Sequence, residues 1–410
     1  MKRKRITDNK HPVIILGLSV NALGVIRSIT SIDVSCYGIF CDSSLEIARH
    51  TKHLTSTIRL SKNHSDDEIL IALSRIRQKE DERRPVVIAT ADKYAHFISK
   101  NQEALQVHYE IRTPTKDIHD AFVDKRKTIS ICKQHGVLIP SSLSPESFTD
   151  IAEIGERLRF PLIVKPSNTF NVQFPGKNFV AKDLSLLKSF FIVHPDLILK
   201  TVIQEVVNSG DGRIVVAASY SNRKGNVEAV YTGRKIRQWQ PDYGVTCFGV
   251  SENIPEIKRI SYHFLNDIGY SGFAAMEFAE DKTTGRYYFL ELNTRTYYHN
   301  QLFSDAGVDL TKVAYYEMCG MDFREYMPEL IEKEDIYWID ILRDVLSFAV
   351  KWGRGEIGFF EWYTSVRKAS SLAVFDPCDL KPFFYDIASV FSKGCKKFKS
   401  FIYKLVLMSL

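Results

Sequence analysis

Short apolar runs alternate with amphipathic stretches along the first quarter of the chain. Runs that begin at Val13, Val34 and Pro85 are almost entirely apolar, as buried strands are. A glycine-containing turn and a helical pattern follow the first run, and a polar helical segment, 67–84, precedes the third. Strands and helices that alternate in this way predict parallel β-α-β units. We therefore expect residues 11–118 to form a doubly wound α/β domain.

The pattern changes near residue 120. A helix is predicted over residues 120–137, and the later runs are strands, most of them separated by short polar turns: "FPLIVKPSN", "LILKTVIQEVV", "RIVVAASY", "NVEAVYTGRKIRQW", "SGFAAMEFAE" and "GRYYFLELNTR". This order predicts a second domain of the α+β class, residues 119–325, with antiparallel strands. An aromatic, helical C-terminal extension is predicted over 326–410, and a basic, disordered arm over 1–10.

Composition and charge narrow the class of protein. The chain has 410 residues, of which 45% are hydrophobic and 25% are charged, as in ordinary globular domains. A formal charge of +6 permits anionic ligands but is too small for this length to indicate nucleic acid binding. The seven cysteines are scattered without a C-x-x-C pair, which favours reduced thiols over a disulfide framework or a zinc site.

Both ends of the chain bear on localisation. The N-terminal "MKRKR" precedes an apolar run, but that run contains Gly17, Ser19 and Asn21, and no cleavage site follows, so a signal peptide is not expected. No uncharged run is long enough to span a membrane, and we expect a cytoplasmic protein. The segment 393–410 is basic and amphipathic. It could lie on the inner face of an anionic membrane, or pack on its own protein.

The turn between Gly17 and Gly24 suggests one possible function. Its glycines are further apart than the outer glycines of a dinucleotide-binding G-x-G-x-x-G turn, and Ser19 stands in place of the middle glycine. Asp42 follows at a distance that suits contact with a ribose. A NAD-dependent oxidoreductase is therefore one alternative, and a plain strand-to-helix turn is the other.

Glu277 and Glu291 interrupt two strongly apolar runs that form the strands of a predicted hairpin, with its turn near Thr284. In that register the two carboxylates lie directly opposite each other on one face, and Asn293 follows two residues along the same face. Opposed carboxylates repel each other unless a cation lies between them. Two carboxylates and an amide oxygen suit Mg²⁺ or Mn²⁺ shared with nucleotide phosphates, whereas an ordinary exposed acidic face is the plainer interpretation.

The segment "FLELNTR" resembles the metal-binding signature of the ATP-grasp superfamily, and Glu277 is similar to the other metal ligand of that family, one strand earlier. Further similarities occur in the order of the family over about residues 120–320. They imply a two-lobed ATP-grasp domain after a β-α-β domain, with ATP and Mg²⁺ (or Mn²⁺) as cofactors. The resemblance assigns nucleotide binding to Lys125 in "DK", Lys165 in "PLIVKP", Gln204, Glu205 and Val207 in "IQEVV", and Asp211.

Within the superfamily the chain looks most like bacterial carboxylate–amine ligases related to D-aspartate ligase, a group often associated with cell-envelope polysaccharides. The similarity lies in "TRTYYHNQLFSDAGVDL" and in the tail containing "AVFDPCDLKPFFYD". It implies that ATP phosphorylates a carboxylate and that an amine attacks the acylphosphate, with Arg295 stabilising the reacting group. A catalytically silent ATP-binding scaffold is a further alternative.

Five side chains are candidates for binding or activating the substrates. Lys235 and Arg237 share one face of a strand and could hold an anion, or lie on a solvated strand edge. Lys177 lies in a loop after the Lys165 strand and could touch a phosphate of the nucleotide, or be an ordinary surface lysine. His299 could act as a base or be an ordinary polar residue. Asp92 ends a predicted strand, where α/β sheets bind ligands.

Overall fold

The computed structural model describes residues 10–41, 43, 45–79, 83–241, 244–390 and 392. Residues 1–9 of the expected N-terminal arm and the whole basic segment 393–410 lie outside these residues. The chain divides into two compact units. Unit 1 comprises Met1–Arg112, Lys235–Asn253 and Arg295–Leu410, and unit 2 comprises Thr113–Arg234 and Ile254–Thr294.

The secondary structure mixes strands and helices along the whole described chain. The strands are β1 Val13–Leu16, β2 Cys36–Cys41, β3 Ser56–Leu60, β4 Val86–Ala89, β5 Ser142–Leu143, β6 Leu162–Pro166, β7 Phe179–Ala181, β8 Thr201–Glu205, β9 Ile214–Ser221, β10 Val227–Trp239, β11 Val245–Ser251, β12 Gly272–Glu280, β13 Tyr287–Asn293, β14 Tyr337–Ile339 and β15 Ala369–Leu372. The α-helices are α1 Val20–Thr30, α2 Asp66–Arg77, α3 Asp92–Lys100, α4 Gln102–His108, α5 Lys116–Val123, α6 Lys125–Gln134, α7 Phe148–Arg157, α8 Leu184–Val193, α9 Pro255–Asp267, α10 Asn300–Asp305, α11 Leu310–Met318, α12 Ile341–Gly353 and α13 Phe359–Val366. Short 3₁₀ helices occur at Ile47–His50, Pro195–Lys200 and Phe323–Glu325.

A parallel four-stranded sheet forms the beginning of unit 1, as the apolar runs predict. Its strands lie in the order β3-β2-β1-β4, and every pair is parallel. All residues of β1, β2 and β4 are buried, as in sheets that are covered on both faces. Helix α1 follows β1, α2 follows β3 and α3 follows β4, with only a 3₁₀ helix between β2 and β3, so this is the doubly wound arrangement expected from the sequence.

Strand β3 has no counterpart in the sequence prediction. It lies at the edge of the sheet, and its residues alternate between half-buried and exposed until the buried Leu60. The run "STIRL" therefore lacks the apolar block that marks the other three strands. An edge strand with one solvated face gives a weaker signal than a central strand.

The later segments of unit 1 form a mixed sheet and several helices. In this unit the strands lie in the order β10-β11-β14-β15, with β11–β14 antiparallel and β14–β15 parallel. The C-terminal extension is mainly helical, as predicted, and a further helix covers 381–390. Arg27 on α1 donates to the carbonyls of Leu372, Ala373 and Val374, at 2.8 to 3.2 Å, and so ties β15 to α1. None of the described helices is long and apolar enough to cross a membrane.

Unit 2 contains two sheets, each with its own core. The first has the order β5-β8-β6-β7, and Leu162, Val164 and Ile203 on one of its faces pack against α7 and α8. The second has the order β13-β12-β9-β10 within this unit, and Met276 and Phe278 face a core shared with α9. This is the two-lobed α+β arrangement expected from the sequence.

The helix predicted over residues 120–137 is two helices in the structure. Asp124 separates α5 from α6 because its backbone is extended, with φ −94° and ψ 111°. The Asp124 side chain accepts the backbone N–H of Arg126 at 2.9 Å, which caps α6, and its backbone pairs with Asn168. Lys125 thereby becomes the first residue of α6.

The units divide the chain differently from the contiguous ranges expected from the sequence. Residues 235–253 and 295–325, expected in the second domain, pack in unit 1. Strand β10 passes from one unit to the other after Arg234. Buried and half-buried residues alternate along most of this strand, on both sides of that point. Nothing in that pattern marks a boundary. The domain ranges 11–118, 119–325 and 326–410 stay a prediction.

Candidate functional site

The predicted carboxylate pair is confirmed in unit 2. Strands β12 and β13 are antiparallel, and Glu277 lies directly opposite Glu291, while Asn293 lies opposite Ala275. Because Met276 faces the core, Glu277 is on the other face of the sheet. The Glu277 residue is only 8% exposed. A register shift just after Glu277 displaces the pairing toward the turn but leaves the two acids opposed.

These side chains fit a divalent cation. Asn293 Nδ2 donates to Glu291 Oε1 at 3.4 Å, so the amide and both carboxylates share one face of the hairpin. Oxygen ligands of this kind suit Mg²⁺ or Mn²⁺, which keep several positions for phosphate and water. Among the described residues, no three His, Cys, Asp or Glu side chains converge as a metal-binding group. At this hairpin the protein would supply two carboxylates and one amide.

Lys165 lies near both carboxylates of this pair, Lys125 lies near Glu291, and Lys177 lies near the two other lysines. Burial lowers the pKa of Lys165 to about 8, the Glu291 charge acts in the opposite direction, and the charges of Lys125 and Lys177 add to the lowering. Burial likewise lowers the pKa of Lys125, again opposed by Glu291. Lys125 Nζ donates to Thr169 Oγ1 at 3.4 Å, and Lys177 is exposed. Three cations gathered beside two carboxylates form a place suited to a metal-bound polyphosphate.

Gln204 contacts Lys165 in the structure, although the resemblance assigned it to the nucleotide base. Lys165 Nζ donates to Gln204 Oε1 at 2.9 Å, and Gln204 Nε2 donates to Ser142 Oγ at 2.9 Å. Both ends of this buried amide therefore have protein partners. Ser142 was not predicted, and the second of two serines after Pro140 carries no sequence signal for such a contact.

The segment after β8 contains the other residues expected at the nucleotide. Glu205 accepts the backbone N–H of Arg159 at 2.9 Å, which holds the end of β8. The carbonyl of Val207 accepts from Ser209 N–H at 2.7 Å, and no described residue accepts a hydrogen bond from Val207 N–H. Asp211 lies exposed in the following turn. The available Val207 N–H is compatible with recognition of a base edge.

Arg295 and Asp92 are paired in unit 1, although they are far apart in sequence. Arg295 Nε donates to Asp92 Oδ1 at 2.7 Å and Nη2 donates to Oδ2 at 3.2 Å. Thr296, the next residue, is buried, and Asn21 Nδ2 donates to its carbonyl at 2.8 Å. The contact of Asn21 with this segment was not predicted. A polar residue at the start of an otherwise apolar helix is the sequence feature that could have indicated it. The segment after β13 is thus fixed to α1 and α3.

Lys235, Tyr297 and His299 lie together in unit 1. Lys235 Nζ is 5.7 Å from the centroid of the Tyr297 ring, and the His299 ring contacts those of Tyr297, Phe303 and Trp338. Burial lowers the pKa of His299 well below its ordinary value, and the Lys235 charge lowers it further. Burial disfavours the imidazolium that a general base must form, so these contacts favour a positioning role for His299.

Arg237, expected to hold an anionic substrate, has internal partners instead. Its Nε and Nη2 donate to the two carboxylate oxygens of Asp344 at 2.8 and 3.0 Å, and Nη1 donates to Ser365 Oγ at 2.8 Å. The guanidinium also lies 4.2 Å from the centroid of the Phe248 ring. Arg237 and Asp344 are both buried. We therefore exclude Arg237 from the proposed site.

Arg237→Met should destabilise the fold by about 3 to 5 kcal/mol, because it leaves the Asp344 carboxylate buried without its cation. Chemical denaturation should show this as a lower midpoint, and Arg237→Met/Asp344→Leu should recover much of the loss. A substrate-binding role would give the reverse: a raised KM in a protein of unchanged stability.

The Gly17 turn places a carboxylate where the dinucleotide of the first alternative would need its pyrophosphate. The N–H of Leu18 donates to the Glu46 carboxylate, which lies near the N-terminus of α1, where a pyrophosphate would bind. Burial raises the pKa of Glu46, and the hydrogen bond from Leu18 acts against that change. A Cβ added at Gly17, which has φ +89°, would lie 2.9 Å from Thr90 Oγ1. The turn therefore serves packing. Asp42 lies outside the described residues.

Similarity to known proteins agrees with this geometry. Residues 249–324 match the family model described as the carbamoyl-phosphate synthase L chain, ATP binding domain. D-aspartate ligase of Enterococcus faecium (strain Aus0004) is 22% identical over 312 residues, which is 69% of this chain and 70% of the relative.

Two solved structures illustrate the shared fold. The biotin carboxylase domain of 2-oxoglutarate carboxylase from Hydrogenobacter thermophilus, a complex with MgADP, ADP and bicarbonate, superposes with a TM-score of 0.60 at 16% identity, covering 80% of this chain and 73% of that one. L-amino acid ligase from Bacillus licheniformis gives a TM-score of 0.58 at 16% identity, covering 80% and 78%. At these identities the likeness concerns the fold.

Proposed function

We propose that this chain, an ATP-grasp protein, is an ATP- and Mg²⁺-dependent carboxylate–amine ligase that forms an amide through an acylphosphate. The observation that carries the proposal is the opposed pair Glu277–Glu291 with three lysines beside it. Two carboxylates placed opposite each other in a hairpin repel each other and destabilise the strand pair. A bound metal–nucleotide complex would relieve that repulsion, which would favour its binding. The similarity to D-aspartate ligase supports amide formation as the reaction type.

The candidate site residues of unit 2 then divide into those that would hold the metal ion and those that would bind the nucleotide. Glu277, Glu291 and Asn293 would hold Mg²⁺, which when bound neutralises charge on the β- and γ-phosphates. Lys125, Lys165 and the exposed Lys177 would contact the phosphates. The backbone of Val207 would recognise the adenine edge, and Asp211 would bind the ribose. Glu205 would support this segment through its contact with Arg159.

The reaction proceeds in two displacements. An oxygen of the substrate carboxylate attacks the γ-phosphorus, the bond to the bridging oxygen breaks, and ADP leaves. The amine nitrogen then attacks the acyl carbon, the carbon–oxygen bond to phosphate breaks, and the amine loses a proton. Arg295 would stabilise the oxygens that become negative in these steps through the positive charge of its guanidinium. Asp92 would hold its guanidinium, and Lys235 would attract an anionic substrate.

The finer part of the proposal concerns the substrates. We infer that the carboxylate and the amine come from the synthesis of a cell-envelope polymer, which rests on the likeness to D-aspartate ligase and on the sequence group described above. Amino sugars, uronic acids and D- or L-amino acids are the chemical classes to examine first.

Release of phosphate from ATP tests the proposed function. Wild-type protein with Mg²⁺ is supplied with a matrix of carboxylates and amines, and the products are checked by mass for loss of one water between them. ATP cleavage that needs both partners supports the ligase. A protein that binds MgATP but cleaves nothing in the whole matrix would be the silent scaffold, and one that binds NAD(H) but no MgATP would be an oxidoreductase.

Binding of MgATP at pH 8 should be accompanied by uptake of about half a proton per nucleotide. The pKa of Lys165 is lowered to about 8 in the free protein, and nearby phosphate charge should raise it again, so the neutral half of Lys165 becomes protonated. Titration calorimetry in two buffers of different ionisation enthalpy measures this uptake. It should vanish near pH 6 and in Lys165→Met. Equal heats in both buffers at pH 8 would show that Lys165 does not meet the phosphates.

A further inference from the structure

Ser142, Gln204 and Lys165 form a polar line across three neighbouring strands of unit 2. Lys165 lies on β6, Gln204 on β8 and Ser142 on β5, and these strands are adjacent in the order β5-β8-β6. Gln204 is directly opposite both Ser142 and Ile163. Lys165 is therefore its diagonal neighbour on the same face. The three side chains lie on the face away from the core of Leu162, Val164 and Ile203.

The hydrogen bonds along this line fix the amide of Gln204. Ser142 Oγ donates to the carbonyl of Pro140 at 2.7 Å, so its lone pairs face Gln204 Nε2, 2.9 Å away. With the Nε2 end anchored, Oε1 must point to Lys165 Nζ, which it accepts at 2.9 Å. Gln204 is buried, so this orientation has little freedom to change.

A lysine has a flexible four-carbon stem, and its ammonium can adopt many positions unless an acceptor holds it. At Lys165 the surroundings oppose the charged form through burial and through two other lysines. An oriented carbonyl oxygen is an acceptor that holds the ammonium without neutralising it. The charge of the ammonium form then remains available to an anionic ligand.

We propose that Gln204, oriented by Ser142, is a positioning residue that holds Lys165 against the phosphates rather than a contact to the adenine. This inference rests on the proposed function, because it assumes that Lys165 binds phosphate. The two roles then belong to neighbouring parts of the chain. The Gln204 side chain on β8 holds the lysine, and the backbone after β8 contacts the adenine.

A double-mutant cycle on nucleotide binding tests this role without any need for catalysis. The dissociation constants of MgATP and of adenosine are measured for wild type, Gln204→Leu, Lys165→Met and the double variant. We expect Gln204→Leu to weaken MgATP about 10-fold and adenosine less than 2-fold, because only the lysine is displaced. The double variant should bind MgATP no more weakly than Lys165→Met does, since the effect of Gln204 passes through Lys165.

Two further variants exclude a general structural effect. Gln204→Glu keeps the shape of the side chain but adds a negative charge that neutralises Lys165 and faces the Ser142 lone pairs, so it should weaken MgATP about as much as Gln204→Leu and leave adenosine within about 2-fold. Gln238→Leu makes the same change at a glutamine of equal burial, 7% exposed, in unit 1, and should leave both affinities unchanged. Equal loss of adenosine and MgATP in Gln204→Leu, or additive effects in the double variant, would overturn the inference. Wild-type protein that does not bind MgATP at all would instead overturn the proposed function.

Discussion

Glu291→Gln should reduce Mg²⁺-dependent ATP turnover by about 10³-fold, which corresponds to roughly 4 kcal/mol. Glu291 is the acid that faces Glu277 across the hairpin, contacts Asn293 and lies near both Lys125 and Lys165. Glutamine keeps the shape of the side chain but lowers the charge of the metal site by one. The bound cation would then neutralise the transferring phosphoryl group less effectively.

The same substitution should leave the fold intact, because opposing electrostatic effects accompany it. The repulsion from Glu277 is lost together with the attraction to Lys125 and Lys165, so the metal-free protein should change its free energy of unfolding by less than about 1 kcal/mol. Calorimetric titration of ATP with and without Mg²⁺ provides the second readout. Wild type should bind ATP more tightly with Mg²⁺, and Glu291→Gln should lose most of that difference.

Glu153→Gln is a matched control, since it makes the same chemical change at an exposed position on α7 of the same unit. It should alter neither turnover nor the effect of Mg²⁺. If Glu291→Gln retains turnover within a few-fold of wild type and still responds to Mg²⁺, the carboxylate pair is not the metal site.

The hairpin register could be predicted from sequence because two independent constraints agree. The apolar residues flanking Glu277 and Glu291 fix which face is buried, and a polar turn near Thr284 fixes the pairing. The parallel sheet of unit 1 was predictable for a similar reason, since fully buried strands are continuous apolar runs. Strand β3 shows the limit of that signal, as its edge position leaves a mixed pattern.

The contacts of polar side chains could not be predicted, because they depend on neighbours that are distant in sequence. Lys235 and Arg237 share a strand and a charge, yet only the structure shows that Asp344 holds Arg237. Gln204 matched a family position, but its partner Ser142 lies 62 residues away. Both cases concern buried groups, whose hydrogen bonds must be satisfied by whatever the fold brings near.

Arg295→Lys should lower kcat by about 10²-fold with the KM for ATP changed by less than about 3-fold. The planar guanidinium of Arg295 is held by Asp92 in a bidentate contact, and a lysine ammonium cannot reproduce that fork. The expected effect falls on kcat because the residue would act on charge that develops during the reaction. Asp92→Asn, which loosens the guanidinium without removing it, should lower kcat by about 10-fold, and the combined variant should be little worse than Arg295→Lys.

Stability measurements distinguish this role from a structural one. The ion pair is partly solvated, with side chains 17% and 56% exposed, so it should contribute no more than about 1 kcal/mol to folding. Arg324→Lys is a control at a more exposed position, because Arg324 forms an ion pair with Asp322 in the same unit, with side chains 59% and 54% exposed. It should change neither kcat nor stability. If Arg295→Lys instead lowers the melting temperature while kcat stays within about 3-fold of wild type, the pair with Asp92 fastens α3 to the segment after β13 and takes no part in the reaction.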